Sequence, residues 1–332
     1  MLGPILFLIF INDLEVVIRD STVRFFADDT RISRQIEFST DRDMLQNDLD
    51  KVLVWSSKNN MMLHREKFDL MIHKANPNSI ESVLPFSHEL FSYKVSESLA
   101  LNPVDSIRDL GVAVSSDLSW ATHIRSITAK GRAASSWVLS VFRSRDSETM
   151  LTLYKAYVRS HVEYCSPLWH PSKIEDIDAV EGIQRFFTAK IKDQESLSYW
   201  GRLKNLQLMS LQRRRERFIL LNMWKILHNI IPNDLKISFR PPSRLGIQAI
   251  IPSIPRSCRQ KNKSLYDASF AVVGPKIWNI LPSPLSLIDR EASFKSQLTK
   301  FIMTLPDEPP VHGYPRIHNN SLMEVVAGLD LR

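Results

Sequence analysis

An α+β fold is predicted by three observations on this 332-residue chain. A short β-like run, Val23 to Phe26, ends at the adjacent carboxylates Asp28 and Asp29, and a second run, Thr30 to Ile36, follows at once. That pattern predicts a hairpin with the acid pair at its tip. From Trp120 onward, apolar residues recur at helical spacing through several long segments. Glycine is scarce, at 9 residues, and with the many Leu, Arg and Lys runs this favours helices over an all-β fold.

The elements follow in order. Residues 4 to about 18, opened by Gly3-Pro4, predict a buried helix with proline in its first turn. After the hairpin, Thr40-Asp41-Arg42-Asp43 resembles a capping box, and Leu45, Leu49, Val52 and Leu53 continue at helical spacing. Asn59-Asn60 ends that helix, and Met61 to Ile72 is expected to be extended, with Lys67 inside it. Residues 75–105 hold Asn, Pro and Ser without a sustained period and predict loops. Ile107 to Val114 predicts a strand interrupted by Gly111, a bulge or a close backbone approach. Helices are predicted over His123–Phe142, Glu148–Tyr164, Ile174–Ile191 and Met209–Ile231, the last opening with Arg213-Arg214-Arg215-Glu216-Arg217. Residues 232–262 predict a linker or irregular cover, Phe270 to Phe301 further helix, and the tail after Leu305 a frayed end.

Charge is unevenly spread along the chain, whose formal net value is +7. Residues 1–100 hold 11 Lys+Arg against 15 Asp+Glu, whereas the remainder carries a balance of +11. An acidic segment joined to a basic remainder suits metal-assisted chemistry on a polyanion, or simple solubility. Two cysteines, Cys165 and Cys258, provide neither a disulfide framework nor a four-ligand zinc site, and a reducing interior is expected. The apolar run Ile5 to Ile11 lacks a basic flank and a cleavage site, and seven residues are too few to span a bilayer. No membrane association is expected.

The acid pair itself admits two readings. Asp is common in turns because it hydrogen-bonds its own backbone. Alternatively, two neighbouring carboxylates suit Mg²⁺, which often sits on one or two carboxylates plus substrate phosphates. The arginines 213, 214, 215 and 217 admit two readings as well: a row of phosphate contacts, which would make binding salt-dependent, or a solvated helix face. Trp169 and Trp278 are expected as core or lid aromatics rather than as base-stacking platforms. His161, Cys165 and His170 are expected to be structural.

Several stretches together resemble one family, over roughly residues 2 to 301. Leu2-Gly3-Pro4-Ile5-Leu6-Phe7-Leu8-Ile9-Phe10-Ile11-Asn12-Asp13-Leu14 resembles the segment after the template-contacting motif of jockey-like, non-LTR (LINE) retrotransposon reverse transcriptases. Phe26-Ala27-Asp28-Asp29 is similar to that family's metal-binding hairpin, and Asp109-Leu110-Gly111-Val112 to its primer-grip strand. Leu45 to Leu49, Trp55-Ser56 and Asn60 to Lys67 resemble the helix and strand that follow the hairpin. Tyr154 to Val158, Glu163-Tyr164-Cys165, Trp169, Gln184-Arg185 and Trp278 to Pro282 resemble the C-terminal region of the same elements.

The resemblance implies a partial reverse-transcriptase palm over residues 1–116, a helical thumb-like region over 117–231, a linker and C-terminal helical segment over 232–305 and a flexible tail over 306–332. It implies RNA-directed DNA synthesis on an RNA template and DNA primer from deoxynucleoside triphosphates, in the nucleus. Two Mg²⁺ ions would clamp the attacking and leaving oxygens, with Asp28 the firmer ligand and Asp29 the secondary one. Lys67 would lie near the incoming triphosphate, Gly111 near the primer terminus, and Arg213, Arg214, Arg215 and Arg217 along a nucleic-acid backbone. The family also draws a third carboxylate from a strand upstream of the pair, and no Phe/Tyr-x-Asp run lies in the 27 residues before Asp28. The chain by itself is therefore expected to polymerise nothing. A non-catalytic nucleic-acid-binding remnant, or an unrelated α+β structural protein, are the alternatives.

Overall fold

Apolar periodicity places most of the helices, and the cores form where their stripes meet. The computed structural model describes residues 2–73, 92–96, 99–171, 173–253, 263–308 and 320–330. Short antiparallel ribbons and many helices make it α+β at a coarse level. The chain divides into two units, Met1–Ile107 and Arg108–Arg332.

In the first unit, α1 (Leu2–Val17) and α2 (Ser39–Lys58) flank a ribbon of β1 (Thr22–Phe26) and β2 (Asp29–Ser33). Leu14, Ile18, Val23, Val52 and Trp55 form its core, with Phe25 and Ile32 packed against it. The expectation of a buried first helix is corrected. α1 buries only Ile11 and Leu14, while Leu2, Ile5, Leu6, Leu8 and Ile9 are each more than half exposed. The cause is that α1 is apolar all round, and α2 covers one side of it.

Two acids inside this unit join its parts. Asp41, in the first turn of α2, accepts the Glu37 and Phe38 amides at 3.0 and 2.9 Å and pairs with Arg34 at 2.8 Å. The two backbone donors and the guanidinium hold its carboxyl down at about 2. Asp48, fully buried on α2, accepts the amides of Arg19 (3.3 Å) and Asp20 (3.0 Å) and pairs with Lys51 at 3.0 Å. It thereby ties the entry of β1 to α2. Burial pushes Asp48 up, but Lys51, Ser21 and these amides outweigh it and keep the acid below its ordinary value.

The second unit opens on β4 (Val112–Ser115), paired with β3 (Ser106–Asp109), in which the unit boundary falls. The expected single strand over 107–114 is thus a hairpin, turned at Leu110 and Gly111, both at positive φ (44° and 86°). Two successive positive φ values match the right-handed twist of a two-residue hairpin loop. α3 (Ala121–Val141) then packs on α4 (Ser147–Leu153), a π-turn (Tyr154–Val158), α5 (Arg159–Glu163) and α6 (Ile174–Thr188). Tyr154, Val158 and Val162 are all fully buried at four-residue spacing. On an α-helix that spacing drifts by roughly 40° per step, and the wider π-turn absorbs the drift. Gly131 permits the close crossing on α3: a Cβ there would lie 3.1 Å from Val162 and 3.2 Å from Ile183.

α7 (Tyr199–Asn205) leads to α8 (Leu211–Leu227), which contributes Leu211 to that core and Ile219 to Ile226 to a second one. The second core adds α10 (Phe270–Trp278) and α12 (Glu291–Thr304), with Trp224 stacked on Phe294 at 5.7 Å. The expected linker holds a two-residue ribbon, β5 (Ser238–Phe239) and β6 (Ala249–Ile250), while α9 (Lys263–Ala268) and α11 (Ser283–Ser286) are single short helices. The expectation of a frayed tail is corrected for its described residues, 306–308 and 320–330; the rest of it lies outside the described residues. Asp307 accepts from the Ser210 amide (2.7 Å) and hydroxyl (2.8 Å), and Leu322, which begins α13 (Leu322–Asp330), donates its amide to both oxygens of Glu216. Of residues 75–105, expected as loops, 75–91, 97 and 98 lie outside the described residues.

Replacing Asp48 with Ala strips two amides and Lys51 of their acceptor, which costs about 1–3 kcal/mol of stability. Amide protection in residues 22–33 should fall with it in hydrogen exchange. Protection unchanged in the variant would refute this role.

Candidate metal hairpin and arginine helix

The β1–β2 register runs from Thr22↔Ser33 to Phe26↔Asp29, leaving Ala27 and Asp28 as a two-residue tip. Ala27 takes φ 54°, the positive value such a tip demands. Asp28 and Asp29 are both exposed. Asp28 lies on the tip itself and Asp29 opens β2, so the two acids occupy unequal positions. The cleft lined by Asp20, Thr22, Ser33, Arg34 and Gln35 lies at the other end of the ribbon, roughly 13 Å away at the rise of a strand. That cleft belongs to the base of the hairpin and not to the acid pair.

Two carboxylates on a rigid tip suit one hard cation that shares substrate phosphates. The two-ion arrangement needs more ligands, and among the described residues no three His, Cys, Asp or Glu side chains are grouped to hold a metal. Lys67 differs from expectation. It ends a 3₁₀ turn, Arg65–Lys67, rather than sitting within a strand, and it is exposed. Gly111 sits in the β3–β4 turn, where a Cβ would meet the Tyr164 ring at 3.4 Å, and the Tyr164 hydroxyl donates to the Leu110 carbonyl at 2.9 Å. Its backbone conformation, more than open space, is what calls for glycine.

The arginine row is not one surface. Arg213 and Arg215 are fully buried, which corrects the expectation that both follow a phosphate backbone. Consecutive helical residues point in different directions, and α8 is packed on most of its circumference. Arg213 donates through Nη2 to the carbonyls of Pro306 and Asn320, both at 3.1 Å, and its Nε lies 3.8 Å from Glu216. The Arg215 guanidinium has no hydrogen-bond partner among the described residues and lies 6.0 Å from the centre of the Trp169 ring. Arg214 and Arg217 are half-buried; Arg214 grips Glu163 with two nitrogens, and Arg217 donates to Thr299 at 3.0 Å.

Around the buried start of α8 lies a polar knot that the periodicity did not single out. Glu181 accepts the amides of Leu211 (3.0 Å) and Gln212 (3.1 Å) and the hydroxyl of Tyr199. Its charge thus faces the positive end of the helix. Gln184 accepts from Tyr154 (2.9 Å) and donates to Tyr199 and to the Met209 carbonyl, each at 3.0 Å. Burial pushes Glu181 up from its ordinary value, and Glu216 up to about 8 against the pull of Arg213. The signal was present: Glu181 and Gln184 stand on the same α6 stripe as Ile177, Val180 and Phe187, where a polar group needs partners. Trp169 and Trp278 are both fully buried, as expected of core aromatics. Cys165 is exposed, whereas Cys258 lies outside the described residues.

Two histidines of this unit are held neutral. Burial, with Lys130, lowers His123 to about 4, and burial, with Arg215, lowers His170 to about 3.

No protein-family model, curated protein or solved structure matches the chain.

Two outcomes follow from this geometry. Arg213→Ala leaves the Pro306 and Asn320 carbonyls short of a donor and should cost about 1–3 kcal/mol, with loss of exchange protection over residues 320–330. Unchanged protection there would show that Arg213 does not hold the tail. Because the two histidine values lie below the ordinary 6.5, their contribution to stability is complete above that pH and declines as pH falls toward 4 and then 3. Urea midpoints between pH 6.5 and 4.5 should therefore fall, and fall less in the His123→Gln/His170→Gln variant. Parallel slopes would contradict burial of neutral imidazoles.

Proposed function

We propose that the chain is the C-terminal part of a non-LTR retrotransposon reverse transcriptase, whose reaction is RNA-templated DNA synthesis from deoxynucleoside triphosphates. The observation that carries this reading is the two-residue hairpin tip with exposed Asp28 and Asp29, set in an ordered series of family-like segments. The first unit corresponds to the later part of the palm, and the helical second unit to a thumb-like and C-terminal region. The apolar residues that α1 leaves largely uncovered by its own unit, Leu2, Ile5, Leu6, Leu8 and Ile9, support a unit that packs against further protein.

Nucleotidyl transfer is an in-line displacement in which positioning and electrostatics carry most of the catalysis. Bound Mg²⁺ would supply charge stabilisation at the transferring phosphate. The part played by this chain is to hold that ion with Asp28, and secondarily Asp29, on a tip braced through β1 and Asp48. Exposed Lys67 is available to counter the charge of a leaving pyrophosphate. A second reading, a nucleic-acid-binding remnant without catalysis, is favoured by the lack of a third carboxylate grouped with the pair among the described residues.

Mn²⁺ serves as the paramagnetic probe of the tip. It should broaden amide signals of residues 26–30, and Asp28→Ala should abolish that broadening; equal broadening in the variant would remove the metal assignment. The chain by itself should extend no primer on an RNA template with Mg²⁺, and extension that Asp28→Ala abolishes would overturn that expectation. An in-frame Phe/Tyr-x-Asp strand and Gln-Gly segment in the DNA upstream would favour the enzyme, and a broken frame the remnant.

A further inference from the structure

We infer that Arg159, Arg214 and Arg217 form a phosphodiester-binding site on the second unit, with Glu163 occupying it as an internal competitor. The inference rests on the reading that this protein handles nucleic acid, and it names a place where the backbone is gripped. Arg159 and Glu163 lie one turn apart on α5, with Nε 3.5 Å from the carboxylate. Arg214 reaches the same carboxylate from α8 through Nε and through Nη2 at 2.9 Å. Arg217 stands one turn further along α8, where Thr299 of α12 orients its Nε at 3.0 Å. Two guanidiniums therefore share one carboxylate, and with Arg217 beside them, whose charge Glu163 also offsets, the cluster holds an excess of two positive charges.

Unlike those of Arg215, the remaining donors of this cluster reach solvent. Nη1 and Nη2 of Arg159 and of Arg217 have no hydrogen-bond partner among the described residues, yet neither pair is sealed from water. The side chains are nonetheless largely enclosed, Arg159 at 16% and Arg214 at 19% exposure, so an anion here meets charge that water screens only in part. Burial, and next the charge of Arg214, lower both Arg159 and Arg217, which marks a cluster short of negative charge. Guanidinium forks match the paired non-bridging oxygens of a phosphate. The chain beyond residue 100, with its balance of +11, favours a polyanion over a single small anion.

The test uses fluorescence anisotropy of a labelled single-stranded oligonucleotide with the full chain, across a salt series. Arg159→Gln/Arg217→Gln should weaken binding at least tenfold at low salt and make the log–log salt slope shallower by about 1.4, two contacts at about 0.7 each. Glu163→Gln should tighten binding, an outcome that loss of folding cannot imitate. Thermal melts of each variant separate misfolding from lost contacts. If the native chain binds but the double variant keeps its slope and Glu163→Gln binds no tighter, the site is wrong while the nucleic-acid reading stands. No binding by the native chain at low salt overturns both. Polyglutamate bound as tightly as the oligonucleotide overturns the phosphate assignment.

Discussion

The second unit depends on how charge is buried at the start of α8. Glu181 faces two free amides of that helix, Tyr199 and Gln184 complete its hydrogen bonding, and Asp307 takes the amide and hydroxyl of the capping Ser210. Leaving any of these groups unpaired in a packed interior costs far more than one surface contact contributes. The knot therefore dictates where α6, α7, α8 and the segment after α12 meet. On the interior face of α8, Arg213 satisfies the Pro306 and Asn320 carbonyls, whereas Arg215 lies over Trp169 with no hydrogen-bond partner among the described residues.

A comparable economy holds in the first unit. Asp48 and Asp41 are both helix residues whose carboxylates serve backbone donors on neighbouring segments. Through them a five-residue strand pair, too short to be stable alone, gains a fixed base. The tip that carries Asp28 and Asp29 is thus exposed without being loosely attached, and that combination suits a group presented to an ion or a substrate.

The functional reading divides along the same line. The metal reading belongs to exposed acids on a turn, and the polyanion reading to half-buried arginines at a helix junction. Each of the two places lies within its own unit. What separates the half-buried cations of α8 from its fully buried ones is the direction each side chain takes from the helix: Arg214 and Arg217 toward Glu163 and Thr299, Arg213 and Arg215 inward.

Much was legible in the linear chain. Short β-like runs on either side of Asp28-Asp29 predicted the hairpin, and helical spacing predicted α2, α3, α6 and α8 to within a few residues, because local geometry imposes those patterns. Other features lay beyond it. Lys67 became part of a 3₁₀ turn, Gly111 the corner of a hairpin rather than a bulge, and the supposedly frayed tail a set of ligands for Ser210, Arg213 and Glu216. By itself the sequence determined where the long helices lie and where the acid pair stands, since these follow from neighbours a few residues apart. Only the tertiary structure decided which arginines face solvent and which face Trp169 or the tail. Those partners lie about 50 to 110 residues away, and burial of a charge depends on what packs over it, not on the charge itself.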